Sequence, residues 1–394
     1  DTVIDATILG TQSSNLTYGH RFHAPQAITL ESASDYAQIL ESSAFVIPGF
    51  AQRRDIIRHQ IEQKATVLGG QVKMDEGLLD EVTALVEWPQ AVSGGFDNEF
   101  LAVPQEALVT TMQDNQKYFA IFDDKGILMP YFITIANINS SKPELVARGN
   151  ERVIRPRFSD AKFFWEQDQR VSLSSRLQSL ETVVFQKQLG SIADKVVRMR
   201  ALAGYMADEL AVDISVAERA AELCKCDLMT DMVGEFPKLQ GIMGRYYARY
   251  DKEVENVALA IEQHYWPRYA GDATPLEVTG QIVAVADRVD TMLGIFAIGQ
   301  KPSGVKDPFG LRRAALGIIR ILIENKLSLN LQELFQQAAT AFGDKLDTHG
   351  AIDEVIEYIF DRLKAYYHDQ QIPTGVIDAV LSAKPMVLTD MNSR

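Results

Sequence analysis

From about residue 173 to its end, the sequence repeats apolar residues at the spacing of an α-helix. Such spacing places the apolar side chains on one face of each helix, where they can pack against neighbouring helices. The segments are residues 189–210, 216–228, 254–265, 278–298 and 311–322, followed by 331–342, 352–367 and 376–381. Strand signals stop at about residue 173. We therefore predict an all-α domain over residues 175–326 and a further helical segment over residues 327–394.

Residues 1–174 combine helical and strand patterns. Apolar spacing predicts a helix over residues 51–66 and a second helix that begins after Asp75, a residue type that caps helix N-termini. The second helix is expected to bury Leu78, Leu79, Val82, Leu85 and Val86. Residues 118–122 and 127–138 read as two strands, and the Asp-Asp-Lys-Gly stretch between them predicts a hairpin turn. The chain is thus expected to be a multidomain α+β protein with an α/β or α+β domain at residues 1–174.

The composition and the cysteines limit the class of protein. No apolar run approaches the roughly 20 residues that cross a bilayer. Cys224 and Cys226 are the only cysteines. Two residues apart on a helix they would point to different faces, so we expect no disulfide, no zinc site and a reducing cytosol. Because the sequence begins with Asp1 rather than Met and ends abruptly at Arg394, we also expect a piece of a longer polypeptide.

A basic segment at residues 301–313 stands out in an acidic protein whose formal net charge is −14. It carries Lys301, Lys306, Arg312 and Arg313, with two prolines and two glycines, between two apolar helical segments. The acidic balance argues against general coating of nucleic acid but not against a local basic face. Such a segment is typical of a local anion site, with phosphate as the usual anion, or of a solvated turn.

Residues 148–165 hold a second basic cluster. Its arginines are Arg148, Arg152, Arg155 and Arg157, and aromatic residues follow at positions 158 and 163–165. Arginine can bind phosphate through two parallel hydrogen bonds, and aromatic rings can stack on unpaired bases. Rings of this kind more often belong to a core. The arginines are therefore the stronger indication of a nucleic-acid contact.

The helical part contains the elements of a degenerate metal site. Cys226, Asp227, His264 and Asp287 are widely spaced, as are the residues by which HD-type phosphohydrolases hold a divalent metal. That pattern requires an adjacent His-Asp pair, and here a cysteine precedes Asp227. We therefore expect no metal and no hydrolase activity, and we expect Asp287 and Asp290 to cap helices or form ion pairs.

The sequence offers little for a catalytic histidine site or an ATP site. His20 and His23, beside a glycine and an arginine, are typical of a surface turn and less often of a catalytic pocket rim. Neither GxxxxGK[ST] nor GxGxxG occurs, so no ATP site is expected in this chain.

Five segments, in order, carry a family resemblance: GNERVIRPRFSDAKFFWEQD, ETVVFQKQLGSIADKVVRM, CDLMTDMVGEFPKLQGIMGRYYA, HYWPR and VADRVDTMLGIFAIGQKPSGVKDPFGLRRAALGIIRI. With them the chain resembles the β subunit of bacterial heterotetrameric glycyl-tRNA synthetase over essentially all of its length. The strongest blocks are residues 232–248 and 286–313.

The resemblance implies a division of labour. The α subunit of an α2β2 assembly would join glycine to tRNA(Gly) with ATP and Mg, whereas the β subunit would chiefly bind tRNA in the cytoplasm. It also implies a B3/B4-like domain at residues 1–174, an HD-like domain at 175–326, and a helical linker at 327–394 towards an anticodon-binding domain that this chain lacks. No catalytic residue and no cofactor are then expected here. The degenerate HD residues would remain as a scaffold.

Which residues touch tRNA is a hypothesis, with two candidate sets. One set is Arg148, Arg152, Arg155 and Arg157, and the other is Lys301, Lys306, Arg312 and Arg313. Two alternative functions stay open: an HD-type metal-dependent phosphohydrolase, and an editing module for mischarged tRNA that would use His20 and His23.

Overall fold

In the computed structural model, residues 3–392 are described, with side chains up to residue 390. The terminal residues Asp1 and Arg394, discussed above, lie outside this part. The chain divides into two compact units between Phe164 and Trp165. The finer division into three domains, at residues 174 and 326, stays a prediction.

The first unit contains eight short strands and five α-helices within its described residues. The strands are β1 (Thr7–Ile8), β2 (Thr11–Gln12), β3 (Leu16–Tyr18), β4 (Ala27–Thr29), β5 (Gln71–Val72), β6 (Gln90–Gly95), β7 (Phe119–Phe122) and β8 (Leu128–Ala136). The helices are α1 (Tyr36–Ser42), α2 (Phe50–Val67), α3 (Glu76–Leu85), α4 (Gln105–Thr110) and α5 (Pro143–Asp168), the last of which spans the division between the units.

A four-stranded antiparallel sheet organises the first unit. Its order is β5-β7-β8-β6, whereas β1 pairs with β2 and β3 pairs with β4 in separate ribbons. The predicted hairpin is confirmed as β7 and β8. Its turn is held by Asp123, whose carboxylate accepts hydrogen bonds from the backbone N–H groups of Lys125 and Ile127. Because the strands are antiparallel, this unit is α+β rather than α/β.

The core of the first unit lies between this sheet and two predicted helices. Its buried members are Ile57, Ile61, Ala65, Leu78, Leu79, Val82, Val86, Phe119, Ile121 and Ile133. Asp75 caps α3 as predicted, since its side chain accepts a hydrogen bond from the backbone N–H of Leu78. The prediction that Leu85 is buried was wrong, because 64% of it is exposed. The helix ends at Leu85, and the chain becomes extended at Val86, which takes the buried position instead.

The second unit is mostly helical. Its helices are α6 (Ile192–Glu209), α7 (Ile214–Leu223), α8 (Asp231–Glu235), α9 (Ile242–Tyr250), α10 (Glu255–Gln263), α11 (Val278–Ala297), α12 (Leu311–Glu324), α13 (Leu331–Phe342), α14 (Ala351–Asp369), α15 (Thr374–Ser382) and α16 (Thr389–Asn392). Helix α11 is the central one and contacts α6, α7, α10, α12, α13 and α14. No helix in residues 3–392 is long and apolar enough to cross a membrane.

Three expectations for this unit were wrong in detail. Strands do not stop at residue 173, because β9 (Val184–Gln186) pairs with β10 (Gly190–Ser191). The hairpin ends where Ser191 caps α6, which shortens the helix predicted from residue 189. The helix predicted over residues 216–228 ends at Leu223, so Cys224 and Cys226 do not share a helix. Both cysteines are nevertheless free thiols, as expected, and both are buried.

Candidate functional site

Of the four predicted HD-type residues, His264 and Asp287 lie close together, and the side chain of Lys225 contacts both. Lys225 follows α7, His264 follows α10, and Asp287 lies on α11. The Lys225 ammonium lies 2.8 Å from Nε2 of His264 and 2.8 Å from Oδ2 of Asp287. A cation thus lies between an imidazole nitrogen and a carboxylate, as a metal ion does in HD-type sites, but here the cation is a side chain.

The hydrogen bonds of His264 fix its state. Its Nδ1 lies 2.7 Å from the carbonyl oxygen of Ile261, to which it can only donate, so Nε2 is the acceptor for Lys225. Complete burial and the Lys225 ammonium hold the pKa of His264 well below its usual range. The imidazole is therefore neutral and already has a partner at both nitrogens.

A second lysine and an arginine complete a buried ionic network. Lys195 on α6 lies 2.9 Å from Asp287 and 3.1 Å from Asp290, and Arg198 approaches both carboxylate oxygens of Asp290, at 2.5 and 3.2 Å. Burial alone would raise the pKa of Asp287, but Lys195 and Lys225 outweigh it and hold that pKa well below its usual range. The expectation that Asp287 and Asp290 form ion pairs is confirmed.

The other two predicted members of the degenerate HD set have different roles. Sγ of Cys226 lies 3.7 Å from the carbonyl oxygen of Glu222. The carboxylate of Asp227 accepts the backbone N–H groups of Gly241 and Gly244, at 2.5 and 3.1 Å, and so fixes the start of α9. Its second oxygen has no partner among the described residues, and burial raises the pKa of Asp227 to about 6. Neither residue is hydrogen-bonded to His264 or Asp287.

These residues do not fit a divalent metal ion. A metal ion of this class takes four or more donor atoms, and at catalytic sites at least three usually come from the protein. Residues 3–392 contain no group of three His, Cys, Asp or Glu side chains arranged to hold one. The two donors that do converge, His264 and Asp287, are already bound by the ammonium of Lys225.

A cavity of about 540 Å³ opens beside this network, within the second unit. His264 and Asp287 form part of its wall, together with the aromatic rings of Tyr265 and Phe309. Its cationic lining residues are Lys238, Arg268, Arg288 and Arg313. Because Asp287 is neutralised by Lys195 and Lys225, the cations dominate the charge of the wall.

Arg288 builds one side of the cavity. Its guanidinium donates hydrogen bonds to the carbonyl oxygens of His264, at 3.0 Å, and Trp266, at 2.8 Å, and to others in the same stretch. Burial lowers the pKa of Arg288 to about 10, which still leaves it charged at neutral pH. Arg288 therefore holds the turn between α10 and α11 in place, and that turn carries Tyr265 and Arg268 into the cavity wall.

The basic segment 301–313 separates into different roles. Asp307 caps α12 by accepting the backbone N–H groups of Leu311 and Arg312, at 2.8 and 2.9 Å. Arg312 donates to the carbonyl oxygen of Gly304 within the segment, and Lys301 forms an ion pair of 2.5 Å with Glu354. Lys306 is exposed. Of the four basic residues, Arg313 is the one that lines the cavity.

The arginines at positions 148, 152, 155 and 157 all lie on α5 and are all exposed. Arg148, Arg152 and Arg155 share one face, because helical residues spaced by three, four or seven project in similar directions. Arg155 is paired with Asp97 at 2.8 Å. Arg148, Arg152 and Arg157 make no hydrogen bond or ion pair with any residue in the described part of the chain. We name Arg148 and Arg152 the arginine face.

The aromatic residues of α5 divide between core and surface. Phe158 is fully buried and contacts Phe96 and Phe100, whereas Phe163 is 55% exposed. Trp165 is partly buried and stacks on Tyr247 at 5.2 Å between ring centroids. The expectation of core aromatics is therefore confirmed for Phe158 but not for Phe163.

His20 and His23 are occupied by backbone contacts. Nε2 of His20 lies 2.6 Å from the carbonyl oxygen of Asn137, and its Nδ1 accepts from the backbone N–H groups of Phe22 and His23. Nε2 of His23 accepts from the backbone N–H of Asn139 at 3.0 Å. His20 is buried and uses both ring nitrogens, which is the geometry of a residue that connects two loops.

Comparison with known proteins identifies the family. Residues 1–382 match the family model described as glycyl-tRNA synthetase beta subunit. The chain belongs to this family. It is 48% identical over 394 residues to the glycine–tRNA ligase beta subunit of Pseudoalteromonas translucida, and 46% identical over 394 residues to that of Proteus mirabilis. It is 50% identical over 384 residues to that of Chromohalobacter salexigens.

The matches cover the chain more fully than they cover its relatives. They include 100%, 100% and 98% of this chain but 57%, 57% and 56% of the three relatives, in the same order. The chain therefore spans somewhat more than half the length of these members of the family. The residues of the family resemblance were found from sequence. Lys195, Arg198 and Lys225, which hold the buried acids, were missed, although a lysine directly before Cys226-Asp227 was a visible signal.

Proposed function

We propose that this chain supplies part of the tRNA-binding surface of a glycine–tRNA ligase and does not itself catalyse a reaction. Membership of the beta subunit family supports the first half of this statement. In this proposal a catalytic α subunit joins glycine to tRNA(Gly) with ATP and Mg, in a cytoplasmic α2β2 assembly. The absence of a nucleotide-binding motif from the sequence is consistent with ATP being used by the other subunit.

The observation that supports a tRNA contact is the exposed arginine face of α5. A buried or paired guanidinium has its donors engaged, whereas Arg148 and Arg152 project into solvent with theirs free. Two guanidinium groups one helical turn apart can each form two parallel hydrogen bonds to a phosphate. Contacts of this kind position a nucleic acid without reading its sequence. The arginine face can therefore hold a tRNA backbone in an otherwise acidic protein.

The test is the salt dependence of tRNA(Gly) binding to the double variant Arg148→Gln/Arg152→Gln. Each lost phosphate contact should make the slope of log K against log salt shallower by about 0.7–0.9, so the double variant should lose about 1.5 in slope. Affinity at low salt should fall with it. Binding is measured with and without the α subunit, since the assembly supplies further contacts in this proposal.

Arg157→Gln is the matched control. Arg157 is an exposed arginine of the same helix, but it lies roughly opposite the arginine face, about 140–180° around the helix axis. It should leave the slope unchanged. Equal slopes for the natural chain and the double variant would remove the arginine face from the tRNA contact.

No observation favours either alternative function. A metal-dependent phosphohydrolase needs donors that here bind Lys225. An editing reaction at His20 needs a free ring nitrogen, whereas both of its nitrogens contact the backbone. Nε2 of His23 also accepts a backbone hydrogen bond, from Asn139.

A further inference from the structure

The cavity of the second unit has the composition of an anion-binding site, although the family name assigns it no role. Cations line it on several sides: Arg268 on the turn after α10, Arg288 on α11, Arg313 on α12, and Lys238 near the start of α9. The acid in its wall, Asp287, is matched by two buried ammonium groups at 2.8 and 2.9 Å. An anion entering the cavity therefore meets net positive charge.

We propose that this cavity binds a single nucleotide, with its phosphate on Arg268 and Arg313 and its base on Phe309. The ligand class is a phosphate ester that carries a planar ring. Two sources could supply it: a free mononucleotide, or an unpaired nucleotide of a bound tRNA. The proposal does not depend on the arginine face of α5.

The arginines of the wall differ in how many donors they have left. The guanidinium of Arg288 donates its hydrogen bonds to backbone carbonyl oxygens. Arg288 therefore contributes positive charge and shape to the cavity but few free donors. Arg268 donates to the carbonyl oxygen of Gln240 and Arg313 to that of Arg268, both at a long 3.4 Å. Most N–H groups of Arg268 and Arg313 thus remain available. Two neighbouring guanidinium groups with free donors suit the several oxygens of one phosphate.

The rings of the wall also differ. One face of Tyr265 is covered by Lys225, whose Nζ lies 4.2 Å from the ring centroid, and Gly241 lies against the ring edge, where a Cβ atom would come within 2.7 Å. Phe309 is half-buried and makes no ring–ring or cation–ring contact with any described residue. Phe309 is therefore the ring on which a base can stack, as bases stack on aromatic rings in single-strand binding proteins.

The size and the chemistry of the cavity favour binding without reaction. Its volume of about 540 Å³ lies in the range of small-ligand sites, roughly 300–1,000 Å³. Hydrolysis of a phosphate ester would need an activated water, and the His264 and Asp287 side chains that could hold a metal for that purpose bind Lys225 instead. A nucleotide that binds in the cavity should therefore be released without being hydrolysed.

The experiment is calorimetric titration of the chain with adenosine 5′-monophosphate and, separately, with inorganic phosphate. Arg313→Gln should weaken both by about tenfold or more, because a charge-assisted pair to phosphate is lost. Phe309→Leu should weaken the mononucleotide by several-fold and leave inorganic phosphate unchanged. The matched control is Lys306→Gln, which removes one positive charge from the same segment outside the cavity and should change neither.

Two outcomes would overturn the proposal. One is no binding of mononucleotide or phosphate by the natural chain at millimolar concentration. The other is an equal loss of binding in Arg313→Gln and Lys306→Gln. If Arg313→Gln unfolds the chain, Phe309→Leu still tests the proposal, because it should weaken binding of the mononucleotide and not of inorganic phosphate.

Competition with tRNA separates the two sources. Displacement of the mononucleotide by intact tRNA, but not by tRNA that lacks its unpaired 3′ nucleotides, assigns the bound nucleotide to the tRNA. Mononucleotide binding that tRNA does not disturb assigns it to a free mononucleotide. Arg148→Gln/Arg152→Gln should weaken tRNA without changing mononucleotide affinity, so failure of the tRNA proposal and failure of this one are distinguishable.

Discussion

The basic residues of α5 and those around α11 have the same chemistry and opposite environments. Arg148 and Arg152 of the first unit are exposed and have no partner in the described residues, whereas Lys195, Arg198 and Lys225 of the second unit are buried and bound to acids or to His264. A buried charge must be paired because its desolvation costs several kcal/mol. A buried cation whose donors are engaged by acids is out of reach of a ligand in solvent. The exposed set is thus the one suited to binding, and the buried set the one suited to stability.

The comparison of buried with exposed charges predicts the largest loss of stability when Asp290 is replaced. Asp290→Ala should lower the free energy of unfolding by about 3–5 kcal/mol, because in a buried site it leaves Arg198 without a carboxylate and Lys195 with one carboxylate instead of two. The measurement is urea unfolding followed by the helical circular dichroism signal. A loss below about 1 kcal/mol would show that the buried network does not stabilise the second unit.

The next effect is a pH dependence at Asp227. Burial raises its pKa from an ordinary 3.8 to about 6, so the folded chain holds this proton at a pH where the unfolded chain has released it. The stability that this protonation adds is complete below about pH 3.8, is lost as pH rises through about 6, and amounts to about 3 kcal/mol for two pKa units. Asp227→Asn keeps a neutral group there at every pH.

The measurement for Asp227 is the free energy of unfolding of both proteins at about pH 4 and about pH 7. Between these values the difference should move by about 2 kcal/mol in favour of Asp227→Asn. Asp124→Asn, at the exposed hairpin turn, is the control and should behave as the natural chain. Parallel pH profiles for the natural chain and Asp227→Asn would contradict the prediction.

The smallest effect is expected at an exposed pair of the first unit. Asp97→Ala removes the partner of Arg155, in a pair whose side chains are 46% and 62% exposed. Water screens and replaces such an interaction, so the free energy of unfolding should fall by less than about 1 kcal/mol. Urea unfolding measures it beside Asp290→Ala. If the two variants lose similar stability, burial does not separate the two sets of charges.

Local structure was largely predictable from sequence. Helix α13 begins at Leu331 and ends at Phe342, as its apolar spacing predicted, and α2 extends the predicted residues 51–66 by one residue at each end. Strands β9 and β10 were missed because they have three and two residues, too few to show an alternation. Such short strands form because a turn brings them together, which a pattern of apolar residues does not report.

The candidate sites were predictable only in part. His264 and Asp287 were singled out from sequence, but Cys226 and Asp227 were grouped with them by their likeness to a motif. The structure instead joins His264 and Asp287 through Lys225. The sequence alone does not separate the basic residues of segment 301–313. In the structure Arg312 donates a hydrogen bond within the segment, to Gly304, whereas the adjacent Arg313 lines a cavity with Arg268 and Arg288.

By itself, the sequence determined the family, the α+β class and most of the longer helices, because helical spacing, caps and turn residues act over a few neighbouring positions. Only the tertiary structure decided which charges are buried and which are free. Lys225 meets Asp287, 62 residues later, and Arg313 meets Arg268, 45 residues earlier. Contacts over such separations are set by how helices pack, and packing depends on the shape of whole surfaces rather than on the order of residues along one segment.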